Sequence, residues 1–453
     1  IMYKVSEIGE AYARKVITAD EAAAMVKSGD RLHFGLGCGS VVEIDEALAK
    51  RADELKNIDV LSTVTIRKKP FALYSATESN DNVRFISAHF SGTDRTICKD
   101  GRCWYMPMTF AELPSLWSQN PKGIDIAMFQ VAPMDKYGNF NMGPQLSDYW
   151  GVLKVAKKVI VEVNPLMPVA LGPENNINIQ DVDFVVEGPG NELAEIPDKV
   201  GGDVETKIAE YVVDRMQSNC TLQLGIGALP CTIGKMLAES DLTNISAHTE
   251  MLVNAYVDLF EAGKLSTEKS TDRGTVLYTF AGGTKKLYDF IDNNPMCCNA
   301  PVDYINDPHV ISSMDNFISI NSCVQVDLLS QVCSETVGAR QVSGTGGQLD
   351  FVMGAYRSKG GKSFICTPST RTQPDGTLVS NISPTLRPGA VVTTPRTATH
   401  YIVTEYGVAD MKGRSTWERA ESLIEIAHPD FRDDLIKEAE KMGIWCTTSK
   451  ATF

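Results

Sequence analysis

The chain has 453 residues, 43% of them hydrophobic and 22% charged, with a net charge of −14. That length exceeds one ordinary core and predicts two domains. The acidic balance excludes general binding to nucleic acid or anionic membranes, because no basic surplus exists to neutralise phosphates. It leaves room for one phosphate-bearing ligand held by backbone amides and a few lysines.

The first half alternates between helix and strand signals. TADEAAAMVKSGD reads as a helix with a capping box from Thr18 to Glu21 and a stop at Gly29. RLHFGLGCGS is a strand running into glycines, and VVEIDEALAKRADEL is helical. IDVLSTV, VRFISAHF, IDIAMFQVAP and KVIVEVN are short apolar runs of the kind buried on both sheet faces. This is the βαβ pattern of a parallel sheet covered by helices. A stretch rich in Gly, Pro and acids follows and reads as a linker, 191–204, between domains at 1–190 and 205–453. The pattern then restarts: VETKIAEYVVDRMQSN is a helix, TLQLGIG a strand into glycines, and CTIGKMLAE a helix. NISAHTE, TVLYTFAGG, NFISINS, SFICTPS, AVVTTPR and HYIVTE are further strands, and two helices close the chain. The expected fold is therefore two similar open α/β domains with mostly parallel sheets.

Eleven cysteines are scattered without a C-x-x-C pair, and none has zinc-type spacing with matching histidines, so no metal site is expected. The cysteine usage fits a reducing cytoplasm. The opening stretch has no apolar signal core, and no apolar run approaches the roughly 18 residues that span a bilayer. A cytoplasmic protein with no membrane partner is expected.

Ligands of open α/β sheets bind at the carboxyl ends of strands. GLGCGS (35–40) and GIGALP (225–230) fall there, but Ser40 and Pro230 stand where a dinucleotide fingerprint wants glycine. Pro230 suits the first position of a helix. SKGGKS (358–363) lacks the first glycine of a P-loop, since Tyr356 occupies that position. A third glycine turn, SGTGGQLDF (343–351), precedes a helix. Such loops are ordinary strand–helix turns, or they bring amides close to phosphates or an oxyanion.

The run Leu242–Ala247 reads as a buried strand that stops at His248, Thr249 and Glu250. Glu250 is a solvated turn residue, a helix-terminal charge or an ion-pair partner on ordinary grounds. As a nucleophile it would need no base, because an unperturbed glutamate has a pKa of about 4.3. It would need an oxyanion hole, worth about 3 kcal/mol per donor when built from aligned amides. VAPMDKYGNF (131–140) is a turn that either shapes the chain locally or lines an acyl pocket.

These segments resemble the family I coenzyme A transferases, in the acetyl-CoA hydrolase/transferase group. The matching stretches are VAPMDKYGNFNMG (131–143), LGIGALP (224–230), AHTEML (247–252), SGTGGQLDFVMGAY (343–356), TEYGVADMKGRS (404–415) and AHPDFRDDL (427–435). The branch most similar moves CoA between butyryl-CoA or 4-hydroxybutyryl-CoA and acetate. The resemblance implies an active site in the interdomain cleft, with Glu250 carrying a glutamyl-CoA thioester. It implies CoA contacts at Gly225, Ile226, Gly227, Ala228, Leu229, Asn321, Gly347 and Lys359. An oxyanion hole is implied at the amides of Ile226 and Gly347, with Gly346 close by. CoA enters as substrate and product, with short-chain carboxylates as the other partners and no resident cofactor. A hydrolase of the same family uses the same glutamate, and a non-catalytic CoA or nucleotide-binding module is the reading from another class. A homodimer or higher homo-oligomer is the expected assembly.

Overall fold

The computed structural model describes residues 3–448. The outermost residues of both expected domains, 1–2 and 449–453, lie outside them. The chain forms two compact units, and the division is not a single cut. Among the described residues, 3–197 group with 250–252 and 277–305, while 198–249, 253–276 and 306–448 form the second unit.

The first unit is built on an eight-stranded sheet. Its strands are β1 (Val16–Ile17), β2 (Arg31–Gly37), β3 (Ile58–Thr65), β4 (Val83–Ser87), β5 (Cys103–Tyr105), β6 (Ile124–Val131), β7 (Ala156–Val163) and β8 (Phe184–Glu187). The order is β1-β8-β7-β6-β2-β3-β4-β5, and every pairing is parallel. All seven residues of β2 are buried, Arg31 and His33 included, as expected for a strand covered on both faces. The expected capping box is present: Thr18 Oγ1 accepts from the Glu21 amide at 3.1 Å and Glu21 Oε2 accepts from the Thr18 amide at 2.7 Å. From β2 the chain winds outward through β3, β4 and β5, then returns to the other side of β2 as β6. The order reverses between β2 and β6, and a crevice opens outside their carboxyl ends.

The second sheet contains β9 (Thr221–Leu224), β10 (Ile245–Leu252), β11 (Val276–Ala281), β12 (Cys297–Asn299), β13 (Phe317–Ser322), β14 (Lys362–Cys366), β15 (Tyr401–Thr404) and β16 (Gly407–Asp410). Their order is β12-β11-β10-β9-β13-β14-β15-β16. The β9 pairings to β10 and β13, and those of β14 to β13 and β15, are parallel, while β15 and β16 form an antiparallel edge. Here too the chain winds outward from β9 and comes back on its other side, as β13. The two sheets share one winding plan, each opening on a strand that ends in glycines.

Two strand expectations change. Residues 390–396 form no strand and contribute one isolated bridge, Val332 to Thr394; Pro388 and Pro395 flank a run that turns instead of pairing. The strand expected to stop at Ala247 starts later, at Ile245, and continues through His248, Thr249 and Glu250 to Leu252. Residues 188–202, which include most of the expected linker, carry no helix or strand. All eleven cysteines are free. Among the described residues no helix is long and apolar enough to cross a membrane.

Candidate functional site

Strand β10 accommodates its polar triplet by alternation. His248 is fully buried, its ring edge-on to Phe317 at 5.9 Å and to Phe351 at 6.3 Å. Thr249, also buried, points to the other face, where its side chain hydrogen-bonds Tyr256. The Tyr256 hydroxyl donates to the Leu222 carbonyl and accepts from the Leu224 amide, both at 3.0 Å, which fixes the end of β9. Burial pushes its ionisation far above the ordinary phenol range. Glu250 is half-buried and shares the strand face of His248, two residues back. A strand interior thus carries a carboxylate into the last turn before the helix Asn254–Glu261.

The glycine loop after β9 ends in Gly227, with φ +117° and ψ 179°, a conformation essentially reserved for glycine. Gly227 caps the helix Ala228–Glu239 without a side-chain hydrogen bond. The first amides of that helix, at Ala228 and Leu229, have no intrahelical acceptor and lie at the positive end of the helix dipole. Pro230 is the third helical residue, two positions later than expected, and is tolerated because a first-turn amide would be unpaired anyway. Ile226, at the loop tip, is 49% exposed.

Gly347 caps a second helix, Gln348–Arg357, again with no side-chain cap, and Gly346 before it has φ +52°. This helix links the parallel strands β13 and β14 and so runs back along them. Its N-terminus therefore lies at their carboxyl edge, the edge that also carries the Gly225–Leu229 loop. Asn321 is there as well: Leu224 pairs with Ile320, and Asn321 Nδ2 donates to Gln223 Oε1 at 3.3 Å. Lys359 does not join them. Its carbonyl accepts from the Asn316 amide at the start of β13, five residues and about 16 Å of strand from Asn321. The crossover that brings Gly347 to the carboxyl edge takes Lys359 to the opposite one.

At the carboxyl edge of the first sheet lies a cavity of 570 Å³, at the switch point between β2 and β6. Cys38 and Ser40 line it after β2, Ile66 to Pro70 after β3, and Gln130 at the end of β6. Its walls are pinned from beneath by two carboxylates that sequence reading passed over. Glu162, in the middle of KVIVEVN and 1% exposed, accepts from the amides of Val42 at 2.9 Å and Ile44 at 3.0 Å. Burial pushes it up to about 7, against the amides that favour the charged form. Asp45, fully buried, accepts from the amides of Ala72 and Leu73 at 2.7 and 3.0 Å and from Arg67 Nη2 at 2.9 Å. Arg67 also donates to the Val41 carbonyl at 2.7 Å. The loops after β2 and β3 are thus tied together through groups that cannot easily rearrange. The visible signal was an acid inside an apolar strand.

The turn 131–143 does not line this cavity. Asp135 Oδ1 accepts from the amides of Tyr137 and Asn139 at 2.8 and 2.9 Å, and Gly138 has φ +85°, so the segment closes on itself.

The acetyl-CoA hydrolase/transferase N-terminal domain matches residues 2–197, and the C-terminal domain of the same family matches 283–439. The chain belongs to the acetyl-CoA hydrolase/transferase family. Butyryl-CoA:acetate CoA-transferase of Anaerostipes caccae is 48% identical over 446 residues, covering 97% of this chain and 99% of that protein. 4-Hydroxybutyrate coenzyme A transferase of Clostridium kluyveri is 40% identical, over 95% and 99%. Among solved structures, RipA from Yersinia pestis superposes with a TM-score of 0.86 at 37% identity, covering 97% of this chain and 100% of that one. The expectation of a CoA-transferase on two α/β sheets holds.

Proposed function

We propose that the chain transfers coenzyme A between a short-chain acyl-CoA, of the butyryl or 4-hydroxybutyryl type, and acetate, by a ping-pong reaction on Glu250. The substrate pair is supported by the relatives named for those reactions at 40–48% identity. The observation that carries the chemistry is the pair of uncapped helix N-termini, at Gly227 and Gly347, on one edge of one sheet. Amides of that kind suit both CoA phosphates and a developing oxyanion.

A Glu250 carboxylate oxygen attacks the acyl-CoA carbonyl, and the C–S bond breaks to release CoA thiolate. The product is an acyl-glutamyl anhydride. The thiolate then attacks the glutamyl carbonyl, expelling the acyl group as its carboxylate and leaving a glutamyl-CoA thioester. Acetate repeats both steps in reverse. The amides of Ile226 and Gly347 would stabilise the tetrahedral oxyanions, while Gly225–Leu229 and Asn321 hold the CoA. No resident cofactor takes part; CoA enters and leaves as substrate. Binding energy from the CoA arm supports the strained anhydride stage, and water must be kept from the thioester.

Incubation with butyryl-CoA alone, followed by peptide mass spectrometry, tests the scheme. The expected result is a CoA adduct on the peptide containing Glu250, absent in Glu250→Ala. Transfer activity without any adduct would overturn it. Acetyl-CoA hydrolase of Candida albicans, 26% identical, motivates the hydrolase alternative. Initial rates separate the two, since only a hydrolase continues without added acetate.

A further inference from the structure

We propose that the 570 Å³ cavity at the carboxyl edge of the first sheet receives the carbon chain of the carboxylic acid, and that Ile66 and Val42 limit its length. The inference rests on the Glu250 transferase reading and adds the substrate's selectivity site to it.

Position is the first argument. The cavity lies outside the strands at which the first sheet reverses its order, the place where open α/β sheets take ligands. Its size falls within the range of small-molecule sites, about 300–1,000 Å³, and exceeds what a two-carbon acid fills.

Wall chemistry is the second. Many of the polar groups around the cavity are already occupied. Asn164 Nδ2 donates to Gln130 Oε1 at 2.9 Å and to the Asn191 carbonyl at 2.8 Å, and Gln130 Nε2 donates to the Ser40 carbonyl at 3.0 Å. Lys68 pairs with Glu192 at 3.1 Å and Arg67 with Asp45 at 2.9 Å. Beside these pairings the lining is mainly Val42, Ile66, Pro70, Ala72, Leu193 and Ala194, with Lys69, Glu46, Ser75 and Cys38 as its other polar members. Apolar walls around satisfied polar groups suit an aliphatic chain.

Contact with the strand that carries Glu250 is the third, and it lies wholly within the first unit. A Cβ added to Gly282 would meet Met251 Cε, and Ile196 Cδ1 and Ile66 Cδ1 at 3.0 and 3.2 Å. Ile66, which lines the cavity, therefore borders the same small volume as Met251, whose side chain leaves the strand on the face opposite Glu250. The wall is also rigid, since Glu162, Asp45 and Arg67 anchor the loops that carry Val42 and Ile66. A stiff wall selects by volume, because added bulk has nowhere to move.

The test measures CoA transfer by the full-length enzyme to acetate, butyrate, hexanoate and glutarate from one fixed acyl-CoA donor. Wild type is expected to prefer butyrate over acetate by about tenfold in kcat/KM, from two buried methylenes at about 0.8 kcal/mol each. Ile66→Phe is expected to lower the hexanoate-to-acetate ratio by about tenfold, and Val42→Leu to lower it by a smaller factor, so the inference survives the misfolding of either. A ratio unchanged in the folded variants would overturn it. So would a wild-type preference for glutarate over butyrate, which would mean that Lys69 reads a second carboxylate instead. The CoA adduct at Glu250 is scored in parallel. An adduct with an unmoved ratio sinks the cavity assignment alone; a shifted ratio without an adduct sinks the nucleophile and keeps the cavity.

Discussion

Glu162→Gln isolates one buried proton. The side chain is 1% exposed and accepts two backbone amides, yet loss of solvent raises it from 4.5 to about 7. A folded value above the unfolded one means that the native state holds the proton over that window. The stability this contributes is complete below the unfolded value and disappears as pH rises through about 7. At 1.36 kcal/mol per pH unit the whole effect is about 3 kcal/mol, most of which falls between pH 5 and pH 8. Glutamine does not titrate, so it removes this slope. It also turns an N–H donor toward one of the two amides, a pH-independent loss of about 1–3 kcal/mol. Urea titrations followed by tryptophan fluorescence at pH 5, 6, 7 and 8 measure both effects. The stability difference between wild type and variant should narrow by about 2–3 kcal/mol across that range. Parallel pH profiles for the two proteins would refute the claim that Glu162 holds a proton near neutrality.

Glu250→Gln should lower transfer by about a thousandfold or more, as expected on loss of a covalent nucleophile, with unchanged far-ultraviolet circular dichroism. Gly227→Ala forces a side chain into a backbone conformation that costs about 1–3 kcal/mol; the expected readout is a fall of about 5- to 150-fold in kcat/KM for acyl-CoA. Tyr256→Phe leaves the Leu224 amide and the Leu222 carbonyl without their hydroxyl partner, so calorimetry should show a loss of about 1–3 kcal/mol.

Apolar runs such as IDVLSTV and TLQLGIG located their strands because parallel strands buried on both faces leave a continuous signature. The Thr18–Glu21 box was equally legible, since capping is a contact between near neighbours. The stretch ISAHTEML was not. His248 packs against Phe317 and Phe351, far along the chain, and Thr249 bonds Tyr256 in the helix that follows, so local polarity suggested a strand end where none exists. Lys359, a contact implied by the resemblance alone, stands at the opposite end of β13 from Asn321, because the helix Gln348–Arg357 carries the chain back across the sheet. Glu162 was visible as an acid among valines, but its two amide partners lie 118 and 120 residues earlier. The cavity above it is assembled by loops from four strands and the segment 190–194, and no single segment records it.

The shared winding plan of the two sheets has a consequence for how such an enzyme can change over time. Each half presents its own switch point: one edge offers backbone amides at Gly227 and Gly347, the other a side-chain box between the loops after β2 and β3. Amides are supplied by any sequence that keeps the turn, whereas a box is defined by the volumes of a few side chains. On the proposed assignment of the box to the acid, substitutions in the first half retune it without disturbing the amides of the second. On that same proposal, a lineage with this architecture diversifies its choice of acid by point mutation while its handle on coenzyme A stays fixed.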